Sequence, residues 1–137
     1  MSEPYSNRAL PPMPALSVRL RSDATDKISD PIIALVDTGA DATLVPLQYL
    51  LEIGSEETAP GWLRGVTGER LPVALYFVDI RVGHAAFPGV RVIGSSEAED
   101  ILLGRDVLNK LSLFLDGPEH QTDLLDDAAV QRLRARR

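Results

Sequence analysis

The feature that most constrains this chain is an apolar strand that ends abruptly at an acid. Residues 32–36 read Ile-Ile-Ala-Leu-Val, and Asp37, Thr38 and Gly39 follow directly. An apolar run of this length, rich in β-branched residues, is typical of a buried strand. A strand that delivers a carboxylate and then turns on a glycine indicates a functional segment. The plainer alternative is a strand-to-turn connection in which Asp37 forms an Asx-type turn.

Short apolar or alternating segments, separated by turn residues, make up most of the remaining chain. Many short strands punctuated by turns predict an all-β, closed, barrel-like domain. The pattern also predicts one short helix over residues 105–111 and a short turn or helix over 46–52. The predicted strands cover residues 15–21, 32–36, a hairpin at 62–78, 75–82, 90–93, 101–103 and 111–116.

Three regions are predicted along the 137 residues, a length that fits one domain of ordinary size. Residues 1–14 are rich in proline and form a flexible arm or one strapped onto the domain. Residues 15–117 form the barrel-like domain. Residues 118–137 form a charged tail, in which acids precede arginines. That order complements a helix dipole and predicts a C-terminal helix.

The overall composition excludes several classes of function. A net charge of −6 provides no basic surface for nucleic acid or for an anionic membrane. The absence of cysteine excludes disulfides, thiolate metal sites and thiol nucleophiles. His84 and His120 are isolated, so we predict neither a metal site nor a cofactor. Without a signal peptide or an apolar run of membrane-spanning length, we expect a cytoplasmic protein, although export without such a signal stays open.

Three segments of the chain, taken in order, carry the strongest indication of function. The first reads Ala-Leu-Val-Asp-Thr-Gly-Ala-Asp-Ala-Thr-Leu-Val over residues 34–45. The second is the hairpin tip Gly65-Val66-Thr67-Gly68, and the third reads Ile-Leu-Leu-Gly-Arg-Asp-Val-Leu over 101–108. In this order the segments resemble the retropepsins, the retroviral-type aspartic proteases, and the resemblance covers about residues 15–117. It implies a closed barrel-like aspartic-protease fold and an aspartic endopeptidase.

The resemblance makes Asp37 the catalytic residue. Peptide hydrolysis through water needs one acid that accepts a proton and one that donates a proton. Two carboxyl groups that share a site hold one proton between them, a pattern for which aspartic proteases are the familiar example. This chain has one Asp-Thr-Gly and is too short for two lobes. We therefore predict a homodimer in which Asp37 of each copy faces a two-fold axis.

The resemblance also implies a role for each neighbour of Asp37. Thr38 would bond across the dimer and hold the two acid loops rigid. Gly39 would let the substrate backbone approach closely. Ala40 stands where pepsin-like sites often carry a hydroxyl that bonds to the carboxylate. Because that bond is missing, we expect activity at mildly acidic to near-neutral pH rather than in strong acid alone.

The remaining implied site residues bind substrate. Asp41 would contact the substrate main chain and pair with Arg105. The alternative is that this ion pair is simply structural. Residues 65–68 would form a flap that closes over the peptide and excludes water, although a plain hairpin turn is the alternative. Leu44 and Leu102 match apolar pocket walls, so we expect a preference for apolar side chains around the cleaved bond.

The chain departs from the retroviral pattern in its flap, one pocket position and its tail. The flap carries Thr67, Glu69 and Arg70, where retroviral flaps are richer in glycine and isoleucine. Asp100 stands where an apolar pocket residue is common, and a long tail follows Leu115. A rival hypothesis is therefore a non-catalytic module that keeps this fold for dimerisation or peptide binding.

Overall fold

Short strands dominate the structure, a computed structural model that describes residues 1–65 and 67–137. Within these residues the strands are β1 (Ser2–Pro4), β2 (Ala15–Arg21), β3 (Ile32–Val36), β4 (Leu44–Pro46), β5 (Gly61–Arg64), β6 (Arg70–Val82), β7 (Ala85–Ser95), β8 (Ile101–Leu103), β9 (Leu113–Asp116) and β10 (Gln121–Leu124). The helices are α1 (Leu47–Glu52), α2 (Arg105–Leu108) and α3 (Asp127–Arg134).

Six of the strands form a closed barrel because β6 pairs with strands on both of its sides. The sheet runs in the order β2-β3-β8-β4-β7-β6, and β6 returns to pair with β2 through Arg19 opposite Arg81 and Arg21 opposite Asp79. β5 pairs only with the start of β6 and lies outside the ring. Closure removes the open sheet edges that would otherwise pair with other chains. The predicted all-β, closed, barrel-like fold is confirmed.

Alternating apolar side chains fill the barrel. Each of these side chains contributes on the order of 2 kcal/mol when it leaves water, so their sum holds the ring together. β2 and β6 show the period of two most clearly, since every second residue faces the core. The fully buried members include Leu16, Val18 and Leu20 of β2, Val78, Ile80 and Val82 of β6, and Ile101 and Leu103 of β8.

The barrel domain contains two short helices, of which the sequence predicted the second and left the first open as a turn or a helix. α1 follows Pro46 and is anchored by Leu50, which is fully buried. This burial makes the segment a helix rather than an open turn. α2 begins as predicted at Arg105 but ends at Leu108 instead of Leu111. The chain beyond it continues as tight turns, in which Lys110 N donates to the Val107 carbonyl.

A second, smaller sheet in the order β1-β10-β9 joins the predicted arm to the predicted tail. Residues 2–4 of the arm pair with β10, so this part of the arm is strapped onto the body rather than free. The tail forms a strand over 121–124 before its helix, where the sequence pattern predicted helix alone. Thr122 explains the strand, since it is buried and its hydroxyl accepts a bond from Ala15 N at 3.2 Å.

The predicted C-terminal helix is present as α3, which begins later than the charge pattern indicated. Its start is fixed by Asp126, whose side chain accepts a hydrogen bond from Ala129 N at 2.8 Å. An aspartate in this position satisfies backbone N–H groups that have no partner inside the helix. In the described part of the chain, no helix is both long and apolar enough to span a membrane.

Candidate active site

The acid loop, residues 37–43, connects β3 to β4 and starts where two parallel strands end together. β8 lies between β3 and β4 in the sheet and runs parallel to β3, with Val36 opposite Leu103. Asp37 N donates to the Leu103 carbonyl at 3.0 Å, which extends this pairing into the loop. The position of Asp37 is therefore set by two core strands and not by the loop alone.

The carboxylate of Asp37 is half-buried and stands over a tight turn. Its Oδ1 accepts a hydrogen bond from Gly39 N at 3.0 Å, and Ala40 N donates to the Asp37 carbonyl at 3.2 Å. The first bond is the Asx-type turn named above as the plainer alternative, so it does not by itself distinguish the two hypotheses. Thr38 and Gly39 are exposed. A Cβ on Gly39 would lie 3.2 Å from Asp37 Oδ1 and would crowd the carboxylate.

Arg105, the first residue of α2, braces the acid loop at three points. Its backbone N donates to the Ala40 carbonyl at 2.9 Å, and its Nη1 donates to the Thr38 carbonyl at 2.8 Å. Its Nη2 pairs with the Asp41 carboxylate, so the structure brings the two predicted ion-pair residues together. Because the side chain of Asp41 is 82% exposed, this pair contributes at most about 1 kcal/mol, and the backbone contacts do more to shape the loop.

A buried hydroxyl anchors the other end of the acid loop and was missed by the sequence prediction. Thr43 is fully buried, and its Oγ1 donates to Asp106 Oδ1 at 2.7 Å while its N donates to Asp106 Oδ2 at 3.1 Å. Gly104 N in turn donates to Thr43 Oγ1 at 3.1 Å. The sequence carried a signal for this network, since a hydroxyl stands between Ala42 and Leu44 at the start of a buried strand.

Gly104 allows the acid loop to pass closely over the end of β8. A Cβ at this position would lie 2.6 Å from the carbonyl carbon of Ala42 and 3.0 Å from the carbonyl oxygen of Ala40. Its φ of −89° is open to any residue, so the requirement for glycine is steric and not conformational. The third segment of the resemblance, residues 101–108, thus packs directly against the first, and we call it the floor segment.

The two predicted pocket-wall residues lie together beside the acid loop. Leu44 of β4 pairs directly with Leu102 of β8, and both side chains are half-buried. Residues directly opposite in an antiparallel pair share one face of the sheet, so the two leucines form a joint apolar surface. This surface adjoins the acid loop, because β4 begins directly after Thr43.

The predicted flap is a hairpin of β5 and β6. Gly65 N donates to the Glu69 carbonyl at 2.8 Å, and Gly68, with φ of +88°, closes the turn by donating to the Gly65 carbonyl at 3.0 Å. Thr67 Oγ1 donates to the Glu69 carboxylate. Val66, also predicted as a flap residue, lies outside the described residues. Residues 62–64 and 67–72 of the hairpin are exposed, with Trp62 at 61%.

The hairpin starts close to the acid loop. Leu44, which follows the loop, pairs with Ile93 of β7, and Ile93 pairs with Leu75 of β6. Neighbouring strands are separated by about 4.8 Å, so Leu75 lies about 10 Å from Leu44 across the sheet. From there β6 continues past the last residue paired with β7 and becomes the hairpin. This extension is exposed on one edge at Pro72, as its missing N–H predicted.

A surface cavity of about 520 Å³ lies elsewhere, against the arm, and is lined by Tyr5, Arg8, Tyr49 and Asp100 among others. None of the predicted site residues lines it. Among the described residues, no cluster of three or more His, Asp or Glu side chains offers a metal site.

The sequence profile of one family, described as "Retroviral aspartyl protease", matches residues 11–116. The chain belongs to this family. The predicted resemblance is thereby confirmed over the segments that carried it. No curated protein matches the chain.

Solved structures with the same fold come from a virus and a bacterium. A retropepsin-like aspartic protease from Rickettsia conorii is 14% identical and superimposes with a TM-score of 0.59, covering 89% of this chain and 86% of the other. The EIAV protease, solved with the inhibitor HBY-793, is 21% identical with a TM-score of 0.52, covering 72% and 86%. At these identities the likeness supports the fold. The arrangement of residues around Asp37 must carry any argument about activity.

Proposed function

We propose that this chain is an aspartic endopeptidase in which Asp37 residues from two identical chains activate a water molecule between them. The observation that carries the proposal is the half-buried carboxylate of Asp37, held at the end of two core strands by Leu103 and over a turn by Gly39. A general acid or base must be held within reach of the proton that it transfers. A loop with this many backbone contacts meets that requirement.

The second carboxyl group comes from a second copy because the other acids near Asp37 are already engaged. Asp41 pairs with Arg105, and Asp106 accepts two bonds from Thr43. Thr38 is exposed beside Asp37, where it can meet its counterpart across a two-fold axis. Members of this family typically act as homodimers on peptide substrates. The same assembly explains why one chain presents only half of a site.

The reaction follows from two carboxyl groups that share one proton. The ionised Asp37 takes a proton from the water, whose oxygen forms a bond to the carbonyl carbon of the peptide. The protonated Asp37 of the other copy gives its proton to the carbonyl oxygen, which produces a tetrahedral diol. The first Asp37, which holds the proton taken from the water, then gives it to the amide nitrogen, while the other Asp37 takes a proton back from one hydroxyl of the diol. The C–N bond breaks, the products are a carboxylic acid and an amine, and the pair again holds one proton.

An extended peptide is the substrate that best fits the surroundings of Asp37. Gly39 is exposed and has no side chain, so the backbone of a peptide can approach the carboxylate. Leu44 and Leu102 provide a joint apolar surface beside it. The hairpin of β5 and β6 serves as the flap that covers the bound peptide and excludes water.

Comparing the natural chain with an Asp37→Asn variant tests this proposal. The variant removes the proposed catalytic carboxyl group from both copies, which should lower kcat/KM on a mixed peptide library by about a thousandfold or more. The fold should be unchanged, since the amide oxygen still accepts the bond from Gly39 N. Cleavage should follow a bell-shaped pH profile at mildly acidic to near-neutral pH.

Two outcomes would contradict the proposal. Equal cleavage by the natural chain and the variant would assign the activity to a contaminant. Cleavage by neither chain under any condition would favour the rival function, a non-catalytic module for dimerisation or peptide binding. Sedimentation tests the assembly separately, and an active species that sediments as a monomer would refute the shared site.

A further inference from the structure

The hairpin of β5 and β6 has an unusual distribution of polarity over its two faces. On β6 the buried residues Tyr76, Val78, Ile80 and Val82 occupy every second position and face the barrel interior. Successive side chains of a strand point to opposite faces, so Arg70 and Pro72 continue this interior face into the hairpin.

The partner strand adds two more residues to the same face. Trp62 of β5 lies opposite Pro72, and Arg64 lies opposite Arg70. Directly opposed residues of an antiparallel pair share a face. The face of the hairpin that continues the barrel interior therefore carries two arginines and a tryptophan. We name this set, Trp62, Arg64, Arg70 and Pro72, the inner face.

The outer face instead carries two leucines, with Glu69 beyond them toward the turn. Leu63 lies opposite Leu71, and both are exposed, Leu71 to 49%. A hairpin that only covered an apolar cleft would show the reverse, with apolar residues inside and charges in solvent. The two arginines therefore lie on the face where a hairpin that only covered an apolar cleft would carry apolar residues.

The arginines of the inner face lack an acidic partner among the described residues. Arg64 and Arg70 stand directly opposite each other, and like charges in that position repel. Arg70 rests against the ring of Trp62, with 5.0 Å from its guanidinium carbon to the ring centroid. The nearest acid in sequence, Glu69, accepts a bond from Thr67 and lies on the other face, opposite Gly65. The inner face therefore presents uncompensated positive charge.

We propose that Arg64 and Arg70 are specificity residues that select peptides with Asp or Glu next to the cleaved bond. This inference rests on the proposed function. The hairpin leaves the sheet about 10 Å from the acid loop, and its inner face turns toward that loop when the hairpin folds over a peptide. A substrate carboxylate then meets two guanidinium groups, which bind carboxylates through paired, charge-assisted hydrogen bonds.

The test uses peptides that differ in one charge. Each peptide has two apolar residues at the cleaved bond and Glu, Gln or Lys at the flanking positions. The natural chain should cleave the Glu peptide with a kcat/KM about tenfold above that of its Gln twin, since charge-assisted hydrogen bonds are about twice as strong as neutral ones. Added salt should reduce this ratio.

Variants then assign the preference to the inner face. The double variant Arg64→Gln with Arg70→Gln should cleave the Glu and Gln peptides equally, and the Arg64→Glu with Arg70→Glu variant should prefer the Lys peptide. Arg81→Gln is the matched control, because Arg81 lies on the same strand, is exposed and also faces an arginine, Arg19, but points away from the barrel interior. It should keep the natural preference.

A binding measurement separates this inference from the proposed function. Fluorescent versions of the three peptides are titrated onto the Asp37→Asn chain, with and without the two Arg→Gln changes. If no peptide is cleaved but the Glu peptide binds more tightly and loses that advantage in the double variant, the selectivity stands and the catalytic proposal fails. If peptides are cleaved without regard to charge, or if the preference survives in the double variant, the inference is overturned. Absence of both cleavage and selective binding overturns both.

Discussion

The acid loop and the hairpin of β5 and β6 follow opposite principles of construction. The acid loop is bound to the core at both ends, by Leu103 through Asp37 N and by Asp106 through Thr43. Arg105 braces it in between. The hairpin has its own ladder and turn, but its side chains are largely exposed. The core fixes the geometry of the acid loop, whereas the hairpin exposes its side chains on the surface.

This difference indicates how the two regions share the work. Under the proposed function, the catalytic carboxylate must keep its position closely, and the buried contacts of the acid loop would meet that requirement. A flap that opens and closes would belong to the less stable part of the structure, and the exposed hairpin fits that proposed role. Substitutions in the acid loop should therefore lower stability and activity together. Substitutions in the hairpin should change substrate use and leave stability nearly intact.

The largest effect on stability is expected for Gly104→Ala. The new methyl group would lie 2.6 Å from the backbone of Ala42, so the acid loop or β8 must move. We expect a loss of about 3 kcal/mol in the free energy of unfolding, measured in urea, together with nearly complete loss of peptide cleavage. Gly117→Ala is the matched control, because a methyl group there would have no described atom within 4 Å beyond its chain neighbours. Equal stability of the two variants would refute the close approach.

An intermediate effect is expected for Thr43→Val, which keeps the shape of the side chain and removes its hydroxyl. Asp106 Oδ1 then loses its donor and Gly104 N loses its acceptor, both in a poorly hydrated site. Leaving such groups unpaired should cost about 2 kcal/mol in urea unfolding, and kcat should fall more than KM rises. The exposed Thr67→Val change should stay within about 0.5 kcal/mol. A neutral Thr43→Val would show that this anchor is dispensable.

The smallest effect on stability is expected for Trp62→Ala in the hairpin. The side chain is 61% exposed, and the change removes its contact with the Arg70 guanidinium. Such a contact is worth about 0.5–1 kcal/mol at an exposed site. Thermal unfolding should shift little, while KM for peptides should rise. A loss of stability as large as that of Thr43→Val would place the hairpin with the core and remove the contrast between the two regions.

The sequence predicted the parts of this fold that depend on local pattern. β2 and β3 were predicted with their observed bounds, and the hairpin and the floor segment were found in the right order, because alternation and turn residues are local signals. The roles of individual site residues stay predictions until activity is measured. The pairing of Asp41 with Arg105 is present in the structure, and it was expected through the resemblance and not through the spacing.

The sequence did not predict what depends on distant partners. The hydroxyl of Thr43 joins Asp106, and β10 joins the first residues of the chain, although neither partner is a neighbour in sequence. Such contacts leave no periodic pattern in the sequence. The hairpin of β5 and β6 is different, because its alternation of side chains is visible in the sequence. Which of its two faces continues the barrel interior is known only from the structure, in which β6 belongs to the barrel.

Barrel closure through β6 also sets when the acid loop comes into existence. Arg21 bonds to Asp79 across 58 positions at the closing pair, and the carbonyl that fixes Asp37 belongs to Leu103, later still in the chain. Pairings this distant carry a high cost in loop-closure entropy, because a long stretch of chain must be ordered to form them. A nascent or partly folded chain thus carries its aspartate in an unformed loop. If Asp37 acts as proposed, its site therefore forms only in a chain that has folded.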